Sequence, residues 1–456
     1  MSAPAPGDHQ LPDPAQYTDR LAEDGVDVVR VVYPDLLGTD RARDVLLGHL
    51  PTACAHGLAF CRAVYHTTPR GGVVPVAGGL EAGLPDILVR PDLTTLRTLP
   101  WEPGVATCLG EVVDPSTGEP APESPRDLLR GVLARYAARD LVPVVGPELE
   151  YFLCEADPLA PGGWRRYSTA SGVVYTAGLR ADPDNHLLRL LRLLRDLDIG
   201  VSNGNHEFDG AQFEINLVHS EALDAADRAF RLKSSVKELA RHEGRLATFM
   251  AKPFNDAGGS GFHLHLSCAG PDGANAFDDP EGPDGLSATA RHAVAGLLAH
   301  APALAALANP TVNSYKRFGP DTLAPWLVDW GLDNRSAMVR VPPERGEGAR
   351  LELRLGDASA NPYLLVAGTL AACLLGIEAA EEPPAALEGY GYDTARATVL
   401  PAGLPAALDA LEADAALCQA LGKDFVAAYL TYKRDEVQRF HSHVTDWEFT
   451  EYAYHL

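Results

Sequence analysis

Strict alternation of ionisable and apolar residues over short stretches is what most constrains the fold of this chain. In "FHLHLS" (262–267), His263 and His265 alternate with Phe262, Leu264 and Leu266; in "GPELEYFL", Glu148 and Glu150 stand two apart; in "RLELRLGD", Arg350, Glu352 and Arg354 alternate with Leu351, Leu353 and Leu355. Period 2 is the period of a strand, whose successive side chains leave opposite faces. Each stretch therefore predicts a strand with one apolar face and one face that gathers carboxylates, imidazoles or guanidiniums. A solvated strand face also needs polar residues at every second position, so any one stretch has that plainer explanation. The loop "DAGGSG" before Phe262 adds small residues where backbone must approach something closely.

Taken together the stretches point to chemistry. "HEFDGAQFEINL" sets Glu207 seven positions before Glu214, with Asp209-Gly210 as turn material between them, while "NSYKRFGP" and "NRSAMVR" supply Lys316, Arg317, Arg335 and Arg340. Glu148, Glu150, Glu207, Glu214 and Glu352 with His263 make a set of hard oxygen ligands plus one imidazole, suited to Mg or Mn rather than to structural zinc. Arginines opposite such a cage suit phosphates or carboxylates, which a planar guanidinium binds through two parallel hydrogen bonds. A metal pair, phosphate-seeking arginines and a close-approach loop imply phosphoryl transfer from a nucleotide by positioning and charge stabilisation, although no GxxxxGK[ST] loop is present.

Composition narrows the partners. The 456 residues carry 38 Lys+Arg against 62 Asp+Glu, and a net charge of -24 argues against nucleic acid and anionic membrane surfaces, which both need a basic footprint. Seven scattered cysteines, odd in number and without CxxC, predict a reducing cytoplasm rather than a disulfide framework. The N-terminal residues lack the basic and apolar regions of a signal peptide. "PYLLVAGTLAACLLGI" (362–377) is read as a buried helix, being short for a membrane span. A tail over 1–15, a small mostly β domain over 16–115 with strands at 26–38 and 106–114, and a larger α+β domain over 116–456 are expected. In the larger domain Ser124 caps a helix with Pro125 at its first position, a strand covers 141–157, and helices cover 184–197, 220–245 and 287–308.

The order "PELEYFL", "HEFDGAQFEINL", "KPFNDAGGSGFHLHLS", "NPTVNSYKRFGP", "NRSAMVRVP", "RLELRLGDASANPYLLVAG" resembles that of type I glutamine synthetases and the related glutamate–amine ligases, over about residues 25–456. The resemblance implies an N-terminal β-grasp domain and a C-terminal catalytic domain with a curved antiparallel sheet. It also implies a homo-oligomer, a dodecamer of two hexameric rings with active sites between adjacent subunits. By the same resemblance Glu150, Glu207 and Glu214 hold one metal ion and Glu148, His263 and Glu352 a second, with two or three divalent ions per site. His265, Ser267 and Arg350 contact ATP, Arg335 and Arg340 steady the transferring phosphoryl group, and Gly259, Arg317 and Arg354 hold glutamate.

Departures from the family pattern fall in the glycine loop and on the amine side. Gly258 stands where ammonia-using members begin the glycine loop with Asn, which loosens the expected grip on the glutamate amino group. Leu323 replaces the flap Glu, with Asp321 two residues earlier as a partial substitute, and Cys61 stands in place of the Asp that a neighbouring subunit lends. Ammonium must be bound and deprotonated before it attacks, so losing two carboxylates disfavours it and opens room for an amine bearing carbon. The expectation is an ATP-dependent ligase joining the γ-carboxylate of glutamate to a primary amine, a polyamine or ethanolamine, through γ-glutamyl phosphate. The alternatives are an ordinary glutamine synthetase using ammonium and a catalytically silent member of the family.

Overall fold

The computed structural model describes residues 14–170, 174–319, 322–395 and 397–456, so most of the expected tail over 1–15, and Asp321, lie outside the described residues. Strands β1 (Val28–Pro34), β2 (Asp40–Leu46), β3 (Leu58–Cys61), β4 (Asp86–Thr98) and β5 (Val105–Val113) form a first sheet in the order β2-β1-β5-β4-β3. β1 and β5 run parallel and the other pairs antiparallel. Val29, Val31 and Tyr33 alternate on the buried face of β1, the period-2 pattern that its sequence carries.

The second sheet holds the expected charged strands. Its members are β6 (Val142–Ala156), β7 (Trp164–Arg166), β8 (Val201–His206), β9 (Gln212–Leu217), β10 (Ser220–Glu221), β11 (Leu246–Thr248), β12 (Phe262–Ala269), β13 (Trp330–Leu332), β14 (Val339–Val341) and β15 (Leu351–Leu353). The main path is β13-β14-β15-β12-β6-β9-β8, with β7, β10 and β11 on the long strand β6. Every pair is antiparallel, as expected, except β13 with β14 at the edge, which is parallel.

Helices cover the apolar face. Pro362–Ala379 is buried along nearly its whole length, which accounts for a run too apolar for a surface helix, and Tyr136 of helix Pro125–Ala137 donates its hydroxyl to Leu370 O at 2.8 Å. It meets helix Ala288–Ala299 at backbone distance: a Cβ on Gly296 would lie 2.1 Å from Ala372 O, and one on Gly376 2.2 Å from His292 O. Only glycine allows that approach. The single helix expected over 287–308 is two, Ala288–Ala299 and Ala301–Ala308. Pro302, which has no N–H to donate, is the second residue of the later helix, inside its first turn. Ser124 caps its helix as expected, accepting the Asp127 amide hydrogen at 3.4 Å.

The two sheets are joined through buried polar groups. Asn361 donates to Asp35 O and Leu36 O at 3.1 and 3.2 Å, and Arg126 grips Asp227 at 2.9 and 2.8 Å while reaching Asp92 at 3.1 Å. These contacts fix the first sheet against helix Ala222–His242 and the start of Pro362–Ala379. Side chains on the charged face of the second sheet thus stand on a rigid support.

Candidate active site on the charged sheet face

Register brings the scattered residues together. Across the sheet Arg340 pairs with Glu352, Glu352 with His265, His263 with Glu148, and Glu150 with Glu214. Because paired residues on neighbouring strands point to the same face, one diagonal band collects four glutamates and two histidines from β6, β9, β12 and β15. Glu207 joins it from the turn after β8, held by Asn205 Nδ2 at 2.7 Å.

Within the band, His265 Nε2 lies 3.0 Å from Glu148 Oε1, and His263 Nδ1 lies 3.8 Å from Glu148 and 3.9 Å from Glu352. Two groups of ligand atoms, Glu148 with His265 and Glu352, and Glu148 with Glu214 and His263, fit within spheres small enough to hold a cation. His265, assigned to ATP by resemblance, is therefore also within reach of a metal. The other ring nitrogen of His263, Nε2, is buried and has no hydrogen-bond partner, although an imidazole nitrogen so placed needs one. Glycine at 261 keeps space open there: a Cβ would stand 2.6 Å from that nitrogen and 3.0 Å from Glu150 Oε1. Nδ1 of the same ring faces Glu148 and Glu352, and one imidazole among these carboxylates is a donor set that fits a divalent cation.

Charge crowding leads to the same conclusion. Burial, then the neighbouring Glu148, Glu150 and Glu207, push Glu214 up to about 9; burial and Glu150 push Glu207 up to about 7. On the opposite side burial is outweighed. Glu352, 1% exposed, is held down at about 2 by Arg354, His263, His265 and Arg340, and Glu148 is lowered by hydrogen bonds from His263 and His265. Carboxylates that protonate in the absence of a cation give it a place to bind.

Arginines line the rim. Glu352 is clasped by Arg354 and Arg340, each at 2.6 Å, and not by its strand neighbour Arg350, which donates to His265 Nδ1 at 3.1 Å. Arg340 also holds Asp333 at 2.7 Å, and Arg354 donates to Arg335 O at 3.1 Å. Arg335 and Arg340 open onto one cleft; His265, Ser267 and Arg350 line another, of about 420 Å³, together with Gly146, Ser202 and His219. The glycine loop packs on the buried Arg317, where a Cβ on Gly259 would stand 2.4 Å from Arg317 Cγ and 2.7 Å from Ala251 O. Glu150 accepts from Gly261 N at 2.9 Å and from Gln212 Nε2 at 2.8 Å.

Leu323 sits at the edge of this assembly, 44% exposed and with φ of 58°, its carbonyl 3.5 Å from Arg354 Nη2. Cys61 is not brought to the cluster: it ends the edge strand β3 of the first sheet, its thiol 3.8 Å from Leu84 O. Sequence reasoning missed Gln212, Asn216 and Asn205, which hold Glu150, Glu148 and Glu207 in place. Gln212, Glu214 and Asn216 alternate on β9, so the period that exposed the glutamates would have found two of the three.

Residues 122–452 match the family described as "Glutamine synthetase, catalytic domain". A curated "Glutamine synthetase" of Methanocaldococcus jannaschii is 34% identical over 448 residues, covering 96% of this chain and 97% of the relative. That of Thermotoga maritima is 32% identical, covering 95% and 98%. Among solved structures, "GmaS/ADP complex-Conformation 1" superposes with a TM-score of 0.84 at 36% identity, covering 96% of this chain and 99% of that one.

Proposed function

This chain belongs to the glutamine synthetase family of ATP-dependent ligases, and from that premise we propose that it joins glutamate to a primary amine that bears carbon. The observation that carries the reading is the contrast within one site. Charged groups crowd the carboxylate band, whereas the loop at its edge presents Leu323, 44% exposed; by the family resemblance an adjacent subunit would add Cys61. The solved relative titled "GmaS/ADP complex-Conformation 1" holds an adenine nucleotide, which supports the ATP-dependent half of this reading.

The site residues divide the work. Glu150, Glu207 and Glu214 hold one divalent ion, and Glu148, His263 and Glu352 another; Mg or Mn bound there supplies positive charge against the phosphate oxygens. ATP lies in the cleft of His265, Ser267 and Arg350. Gly259, Arg317 and Arg354 hold glutamate so that a γ-carboxylate oxygen attacks the γ-phosphorus and ADP leaves. Arg335 and Arg340 neutralise charge on the phosphoryl group in flight. The amine nitrogen then attacks the acyl carbon, phosphate departs, and the nitrogen gives up a proton to form the γ-glutamylamide. Polyamines and ethanolamine are the amines proposed. The reading includes a cytoplasmic dodecamer of two hexameric rings, each chain with a first domain over 16–115 and a catalytic domain over 116–456. Cys61, exposed and remote from its own cluster, is available to a neighbour in such a ring.

Use of ammonium is the second reading, favoured by the name glutamine synthetase on the curated relatives. Phosphate release with ATP, glutamate and a panel of amines separates the two. Turnover highest with a carbon-bearing amine supports the proposal, and turnover highest with ammonium replaces it by the second reading.

A further inference from the structure

The glycine loop contains a substitution that the amine side does not explain. Gly258 occupies the place of an Asn that would grip the glutamate amino group, yet the space beside it is filled. Asp209 Oδ2 accepts the Gly258 amide hydrogen, and a Cβ on Gly258 would lie 2.6 Å from that same oxygen. No side chain fits at 258 while Asp209 holds this position. Asp209 is itself fixed: Gln212 N donates to its carbonyl at 3.1 Å, and Gly210 next to it is pressed against Ala170 O and Ser168 O.

Among the described residues Asp209 forms no salt bridge, and the Gly258 amide is the one hydrogen-bond partner of its side chain. A half-buried carboxylate beside a substrate loop, with lone pairs to spare, favours a positively charged ligand. One residue along, Gly259 packs on Arg317, whose guanidinium suits a carboxylate. An α-amino acid brings its ammonium and carboxylate as close neighbours. Building on the ligase reading, we infer that Asp209 is a specificity-determining residue that binds the α-ammonium of glutamate, taking over the role that an Asn at 258 would fill.

The test compares D209N and D209A with the wild type, using saturating ATP and Mg and whichever amine, ammonium included, gives the fastest phosphate release. Expected is a rise of about ten- to a hundredfold in KM for L-glutamate, the scale of a lost charged hydrogen bond, with KM for ATP and for the amine within about twofold of wild type. Glutarate, which lacks the α-ammonium, separates binding from support: its inhibition constant stays unchanged if Asp209 touches the ammonium and rises with the glutamate KM if Asp209 only shapes the loop. G258N alone should abolish glutamate binding because the side chain meets Asp209, and D209G/G258N should recover it. An unchanged glutamate KM in D209N, an equal loss of glutarate affinity, or a rise in amine KM instead overturns the inference. If the wild type turns over no amine at all, the ligase reading fails by itself, and calorimetric titration of glutamate into wild type and D209N still decides the role of Asp209.

Discussion

The carboxylate band and the loop edge that the proposed reading assigns to the amine are built in opposite ways. The band stands on β6, β9, β12 and β15, where backbone register and neighbours such as Gln212 and Asn216 fix each charged group. Leu323 stands on a loop, in a left-handed conformation and with its side chain partly in solvent. Strands hold side chains within tight limits, whereas loops tolerate exchange without disturbing a core. On the proposed reading, the phosphoryl-transfer half of the site therefore resists change, and the half that chooses the amine can vary.

The largest expected effect comes from breaking the band. Glu214→Ala or Glu352→Ala should lower kcat/KM by about a hundredfold or more, the scale seen on removing one charge-stabilising group, and should reduce the rise in Tm that Mg or Mn gives. Steady-state kinetics with thermal melts checks both; near-normal turnover in the two variants would show that the band is not the metal site.

Protonation distinguishes the band from the edge next. Glu214 at about 9 and Glu207 at about 7 stand above their ordinary 4.5, so between those values the metal-free folded chain binds more protons than the unfolded one. Its stability from these groups is full below pH 4.5 and is lost as pH rises through about 7 and then about 9. Mg must displace those protons. Calorimetry of Mg binding near pH 7.5, in buffers of different ionisation enthalpy, should register proton release that fades above pH about 9. Release that is zero throughout would remove the protonated carboxylates from the account.

The amine edge should give a smaller effect. On the proposed reading ammonium forgoes two anionic partners, each worth about 1.5–3 kcal/mol as a charged hydrogen bond, while an alkylamine recovers roughly 0.8 kcal/mol for each methylene buried. A kcat/KM for the best primary amine at least about tenfold above that for ammonium is expected, about 1.4 kcal/mol in transition-state binding. Leu323→Glu should narrow the ratio by restoring a carboxylate; a ratio unchanged or widened in that variant would separate the flap from selectivity. Smallest of all is a change far from both regions. Ser124→Ala removes a helix cap and should cost about 1 kcal/mol of stability, leaving the amine-to-ammonium ratio unaltered. A shift in that ratio would mean that the edge depends on the whole fold rather than on its loop.

Alternation of charged and apolar residues by itself determined the strands of the band, the face on which Glu148, Glu150, His263, His265 and Glu352 lie, and the divalent chemistry they suit, because period 2 is a local property of the chain. The order of motifs gave the family. Tertiary structure decided how those faces combine. That Arg340 reaches Glu352 while Arg350 turns to His265, that His265 reaches Glu148, and that Asp209 fills the space beside Gly258 all depend on strand register and on residues 12 or more positions apart. The helix expected over 287–308 broke at a proline that the sequence displayed. The parallel pairing of β13 with β14 had no local signal, since hydrogen bonding between strands is chosen by what packs against both.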